Sequence, residues 1–141
     1  MMARARVLVV DDDEAILEFI GEALADEGYE VLTALNGEEA LALAVGSNPR
    51  PDLILLDMRM PVMDGWDFAR AYHDLPGPHA PIVVITAARD AATAAEEIGA
   101  AGYLAKPFSL QELLDLVGRF AGSGARRAQG EEPGSFEEPG P

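Results

Sequence analysis

Residues 52–57 read DLILLD. Four apolar residues run without interruption and an aspartate closes them. A strand with one wet face alternates apolar and polar residues, whereas a strand buried on both faces does not. So short a run bounded by polar residues fits an interior strand of a parallel sheet. Asp57 then sits at its carboxyl end, where an unpaired charge is costly.

Four further runs have strand character: RVLVV (6–10), YEVLTA (29–34), PIVVIT (81–86) and GYLA (102–105). Helical periodicity fills the intervals. Ala15, Ile16, Phe19, Ile20, Ala23 and Leu24 share a helical period that stops at Gly28. Ala40, Leu41, Ala44 and Val45 follow Asn36-Gly37, and Trp66, Phe68, Ala69 and Tyr72 follow Gly65. Residues 90–98 are alanine-rich. Leu110, Leu113, Leu114, Val117 and Phe120 follow Ser109, with Glu112 placed to complete a capping box. Five β-α alternations predict an α/β fold, a doubly wound five-stranded parallel sheet with helices on both faces and right-handed crossovers. Residues 1–121 form the one expected domain. Residues 122–141, rich in Gly, Pro, Glu and Ser, read as a disordered tail.

Composition narrows the function. The chain has 141 residues, enough for one core, and 49% are hydrophobic. It has no cysteine, which excludes disulfides, thiolate metal sites and cysteine nucleophiles. The net charge is −15, and −13 of it lies in residues 1–121. Such a surface repels phosphates, so nucleic acid is not an expected partner. The N-terminal apolar run is four residues long and meets three aspartates, so neither a signal peptide nor a membrane span is expected. A cytoplasmic protein is the expectation.

In doubly wound sheets, ligands bind outside the carboxyl ends of the strands. Those ends here carry Asp11, Asp12 and Asp13, then Asp57, Thr86 and Lys106. Asp13 reads as the cap of the first helix. Thr86 taken alone could be an ordinary strand or cap residue. Together the others suggest a cluster of carboxylates that a hard cation such as Mg²⁺ would relieve, since oxygen ligands with retained waters suit it. A metal, an ammonium and a hydroxyl around a carboxylate suit phosphoryl transfer, with Asp57 as the nucleophile. Lys106 is the only lysine against nine arginines. A compact point charge fits a crowded oxyanion pocket better than a planar fork. His73 and His79 read as surface residues.

The segments VLVVDDDEAI, DLILLDMRMPVMDG, PIVVITA and GYLAKPF resemble the four signature segments of the response-regulator receiver domain of two-component signalling. The resemblance covers about residues 5–121. It implies a flavodoxin-like sheet in the order 2-1-3-4-5, phosphoryl transfer from a histidine kinase or phosphotransfer protein, and Mg²⁺ as cofactor. It implies Asp57 as phosphoacceptor, and Asp11 and Asp12 as the acidic pair on the metal, with the Arg59 carbonyl a further ligand. Thr86 and Lys106 would contact phosphoryl oxygens, and Ala87 could offer its N–H. Thr86 and Tyr103 would form the switch. On this reading the chain is a phosphoacceptor and not a turnover enzyme, of the single-domain type, acting through a downstream protein effector. Two alternatives remain. A haloacid-dehalogenase-type phosphatase would need an acid where Arg59 stands and its nucleophile on the first strand. A receiver-like binding module without phosphorylation would not need the full set of site residues.

Overall fold

The computed structural model describes residues 4–122. Ten elements alternate along them: β1 (Arg6–Val10), α1 (Glu14–Asp26), β2 (Glu30–Ala34), α2 (Gly37–Gly46), β3 (Leu53–Leu56), α3 (Gly65–His73), β4 (Ile82–Ala87), α4 (Ala88–Ile98), β5 (Gly102–Lys106) and α5 (Leu110–Ala121). All strand pairs are parallel, in the order β2-β1-β3-β4-β5. The segment expected to be a tail lies, apart from Gly122, outside the described residues.

The continuous apolar runs fill two cores by strict alternation. Val7, Val9, Leu53, Leu55, Val83 and Ile85 pack under α1 and α5. Leu8, Val10, Ile54, Leu56, Ile82 and Val84 pack under α2, α3 and α4. The Asp13 carboxylate caps α1 by accepting from the Ala15 and Ile16 N–H groups, and Ser109 and Glu112 form the expected capping box on α5. The Lys106–Pro107 peptide bond is cis, as is Asn48–Pro49.

The carboxyl ends of β4 and β5 differ from the sequence reading. β4 runs through Ala87 and β5 through Lys106, because Ala87 and Lys106 pair with each other in register. Consequently α4 starts directly at Ala88, with no side-chain cap.

The helices are unequally anchored. α1 buries Leu17, Ile20 and Leu24, and α5 buries Leu113, Leu116 and Val117. α4 fully buries only Ala91, Ala94 and Ala95, with Ile98 partly covered. Methyl groups remove little apolar area from water. Amides of α4 are therefore expected to exchange faster than those of α1 and α5 in the resting protein. Hydrogen exchange by NMR checks this, and equal protection in the three helices would contradict it.

Candidate functional site

The carboxyl edge of the sheet gathers the chemistry. Among the described residues only three polar or charged ones are buried: Asp11, Asp57 and Thr86. All three stand at strand ends on this edge. The Asp57 N–H donates to the Val10 carbonyl, and the Asp11 N–H donates to the Ala34 carbonyl. These ladder bonds carry the sheet pattern one residue past β3 and β1 and hold both aspartates side by side.

The carboxylates are held as well as their backbones. The Met58 N–H donates to Asp57 Oδ1 at 2.9 Å, and the Asp13 N–H donates to Asp11 Oδ1 at 2.9 Å. Lys106 Nζ donates to Asp11 Oδ2 at 2.7 Å and lies 3.7 Å from Asp57 Oδ2. Asp12 is exposed but joins them: Asp11, Asp12 and Asp57 each offer a carboxylate oxygen, and these oxygens lie within 4.8 Å of one another. One ammonium against three carboxylates leaves net negative charge in a partly dry pocket. An oxygen-only donor set of this kind fits a hard divalent cation.

Burial pushes the Asp57 carboxyl up to about 6, and the neighbouring charge of Asp11 adds to the rise. Lys106 and the hydrogen bonds from Met58 and Thr86 pull the other way without cancelling it. Burial alone would lower Lys106, but its hydrogen bond to Asp11 and the charges of Asp57, Asp11 and Asp12 raise it. It stays an ammonium at neutral pH.

The structure thus brings together Asp11, Asp12, Asp57, Thr86 and Lys106. Tyr103 stands apart on β5, half exposed, opposite Val84 in the register. By alternation Thr86 and Tyr103 share the sheet face that α4 covers. The Arg59 side chain does not join the carboxylates. Its guanidinium lies over the Trp66 ring, 5.4 Å from the centroid, and its Nε is 3.4 Å from Asp90 Oδ2. His73 and His79 are exposed and pack edge-to-face on each other.

Sequence reasoning missed Gly65 as a site residue. A Cβ there would lie 2.6 Å from Met58 Sδ, 2.7 Å from Met58 Cα and 2.8 Å from the Asp57 carbonyl oxygen. The Gly65 N–H also donates to the Met58 carbonyl. The start of α3 is pressed against the backbone that presents Asp57, and the Asp64-Gly65 pair after the strand was its only sequence signal. Gly65→Ala is expected to cost about 1–3 kcal/mol through overpacking against backbone that cannot yield. Gly46→Ala, with open space around its Cβ, is the control. Denaturant midpoints that shift equally in the two variants would refute the close-packing account.

The family model of the response regulator receiver domain matches residues 7–118. The chain is a receiver domain of the response-regulator family. It is 45% identical over 112 residues to the response regulator MprA of Mycobacterium sp. (strain KMS), a match covering 77% of this chain and 47% of that protein. The receiver therefore spans about half the length of the curated relatives it matches. Among solved structures, the chemotaxis response regulator CheY4 of Vibrio cholerae superposes with a TM-score of 0.76 at 37% identity, covering 84% of this chain and 99% of the other. A CheY-like receiver domain protein from Methanospirillum hungatei JF-1 gives a TM-score of 0.72 at 31% identity, covering 83% and 93%. These matches agree with the five-stranded flavodoxin-like topology. The receiver is the phospho-accepting module of two-component signalling, and the phosphatase and non-phosphorylated readings are not favoured.

Proposed function

We propose that Asp57 is the residue that accepts the phosphoryl group, and that it does so from the phosphohistidine of a histidine kinase or phosphotransfer protein. The observation that carries this is the lone buried carboxylate at the end of β3, raised to about 6 and 3.7 Å from an ammonium. Such a carboxylate is ionised at pH 7 and more basic than an ordinary aspartate. One Asp57 oxygen would form the O–P bond as the N–P bond of the phosphohistidine breaks, and the imidazole leaves with the bonding pair and takes a proton. Asp11 and Asp12 would hold Mg²⁺ together with Asp57 and the Arg59 carbonyl. When bound, the metal supplies positive charge to the transferring oxygens.

Lys106 would keep one phosphoryl oxygen paired, and the Thr86 hydroxyl and the Ala87 N–H would meet others. Thr86 moving toward that group would let Tyr103 turn inward. The surface of α4, β5 and α5 would then change for a downstream protein effector, a shift between states already available. An apolar groove of about 460 Å³, lined by Ile16, Phe19, Pro107 and Phe108, opens beside Lys106 and suits a protein donor. The receiver takes part in its own phosphorylation without turning over substrate. The acidic surface argues against nucleic acid as its direct partner. Among the described residues no helix is long and apolar enough to cross a membrane, and we place the protein in the cytoplasm. Incubation with acetyl phosphate and Mg²⁺, followed by intact mass and peptide mapping, tests the assignment. One added phosphoryl group on Asp57 is expected; stoichiometric label on another residue would overturn it.

A further inference from the structure

We infer that Arg59 and Trp66 form a polar clip that holds α4 in its resting position, and that negative charge arriving at Asp57 opens the clip by drawing Arg59 off Asp90. The inference rests on the reading of Asp57 as phosphoacceptor and adds a route from that residue to α4.

The clip joins two segments that are far apart in sequence. Arg59 follows Asp57 by two residues in the loop between β3 and α3, and Trp66 is in the first turn of α3. Both reach α4. Arg59 Nε is 3.4 Å from Asp90 Oδ2 in the first turn of α4, and Trp66 Nε1 donates to Glu97 Oε1 at 2.8 Å in its last turn. The Arg59 guanidinium lies over the Trp66 ring and so couples the two contacts into one unit. α4 is held at both ends by polar contacts from the segment that carries Asp57.

Such contacts matter more here than on another helix. α4 has no side-chain cap and fully buries only alanines. Exposed pairs of this kind are weak, and so is a stacked cation at the surface; each is worth roughly a two- to fivefold change in an equilibrium. A weak contact is also easily redirected. Arg59 is the only cation in residues 57–64, and its side chain is 68% exposed, free to change partner. A phosphoryl group turns the single negative charge of Asp57 into about −1.5 to −2, a net gain of up to about one charge, and carries it outward on the phosphoryl oxygens. Lys106 already serves Asp11 at 2.7 Å. Arg89 stands in the first turn of α4, three residues after Thr86, and has no ion-pair partner among the described residues.

A double-mutant cycle measured in two states tests the clip. Arg59→Ala, Asp90→Asn and the double variant are compared by hydrogen exchange of α4, in the resting protein and with beryllofluoride plus Mg²⁺. Fluorine NMR reports independently whether beryllofluoride occupies the site. In the resting protein each single variant should speed α4 exchange roughly two- to fivefold, and the double variant should add little to either. With the site occupied, the non-additivity should vanish. Trp66 is the only tryptophan, so its emission should change on occupancy in the parent, much less in Arg59→Ala, and as in the parent in Arg89→Ala. Additive effects in the resting protein would overturn the clip. Coupling that persists with the site occupied would overturn its opening. An emission change abolished by Arg89→Ala would move the role to that residue and overturn the assignment to Arg59. Failure of beryllofluoride to bind would overturn the phosphoacceptor reading itself, and the inference with it.

Discussion

Asp57→Asn is expected to take up no phosphoryl group from acetyl phosphate and to be more stable than the parent above pH 6. The first effect follows from replacing the carboxylate proposed as the nucleophile by an amide. The second follows from its titration. The folded-state pKa is raised from 3.8 to about 6, so between these values the folded protein binds a proton that the unfolded chain has released. Stability then falls as pH rises through that window, and the penalty is complete above about 6. A shift of this size corresponds to about 3 kcal/mol as an upper figure. Asparagine does not titrate and can still accept from the Met58 N–H. A gain of about 1–3 kcal/mol at pH 7 is expected, fading as pH falls toward 4. Urea unfolding with a chelator present, at several pH values, measures it. Mg²⁺ should narrow the gap by stabilising the parent through mass action. A variant no more stable than the parent at pH 7, with the same pH profile, would mean that Asp57 is not strained by burial.

Much of this site was legible in the sequence because burial and charge conflict there. A residue such as Asp57 after four apolar neighbours has few bland explanations, and the interior strands announce themselves by lacking alternation. The sheet order was not legible in the same sense. Periodicity predicts parallel strands without ranking them, and the order came from a resemblance. The ends of β4 and β5 also escaped, because Ala87 and Lys106 are strand residues by virtue of pairing with each other. Least visible was the Arg59–Trp66–Asp90–Glu97 group. Its partners are 31 residues apart, and each is a polar or aromatic residue that a helix or loop surface accommodates without comment. Long-range polar contacts leave no periodic trace. Gly65 lies between these cases, since its Asp-Gly context signals a helix start but not the close approach to Asp57.

Lys106→Met is expected to destabilise the metal-free receiver at neutral pH by about 2–3 kcal/mol. Methionine keeps the length and the apolar stem of lysine, so packing changes little. What disappears is, among the described residues, the only ammonium in contact with Asp11 and Asp57. Removing one partner of a buried pair typically costs 3–5 kcal/mol. Lys106 is 24% exposed, so water recovers part of that. The sign with pH follows from the carboxylates. The Lys106 charge is one of the causes that hold the Asp57 carboxyl down, so without it the folded state keeps the Asp57 proton more tightly, and the penalty appears as pH rises through the range where that group ionises. The variant should therefore approach the parent near pH 4 and diverge from it toward pH 7. A divalent cation should restore much of the loss, because it supplies the missing charge to the same oxygens. Lys106→Arg separates charge from shape. It should recover stability more than it recovers partner binding in the beryllofluoride form, since a planar fork fills a place suited to a point charge. Urea midpoints with chelator and with Mg²⁺ distinguish these outcomes. If Lys106→Met loses no stability in chelator, the ammonium does not hold the acidic cluster together. If Lys106→Arg then matches the parent in every measurement, the only lysine in the chain is there by drift.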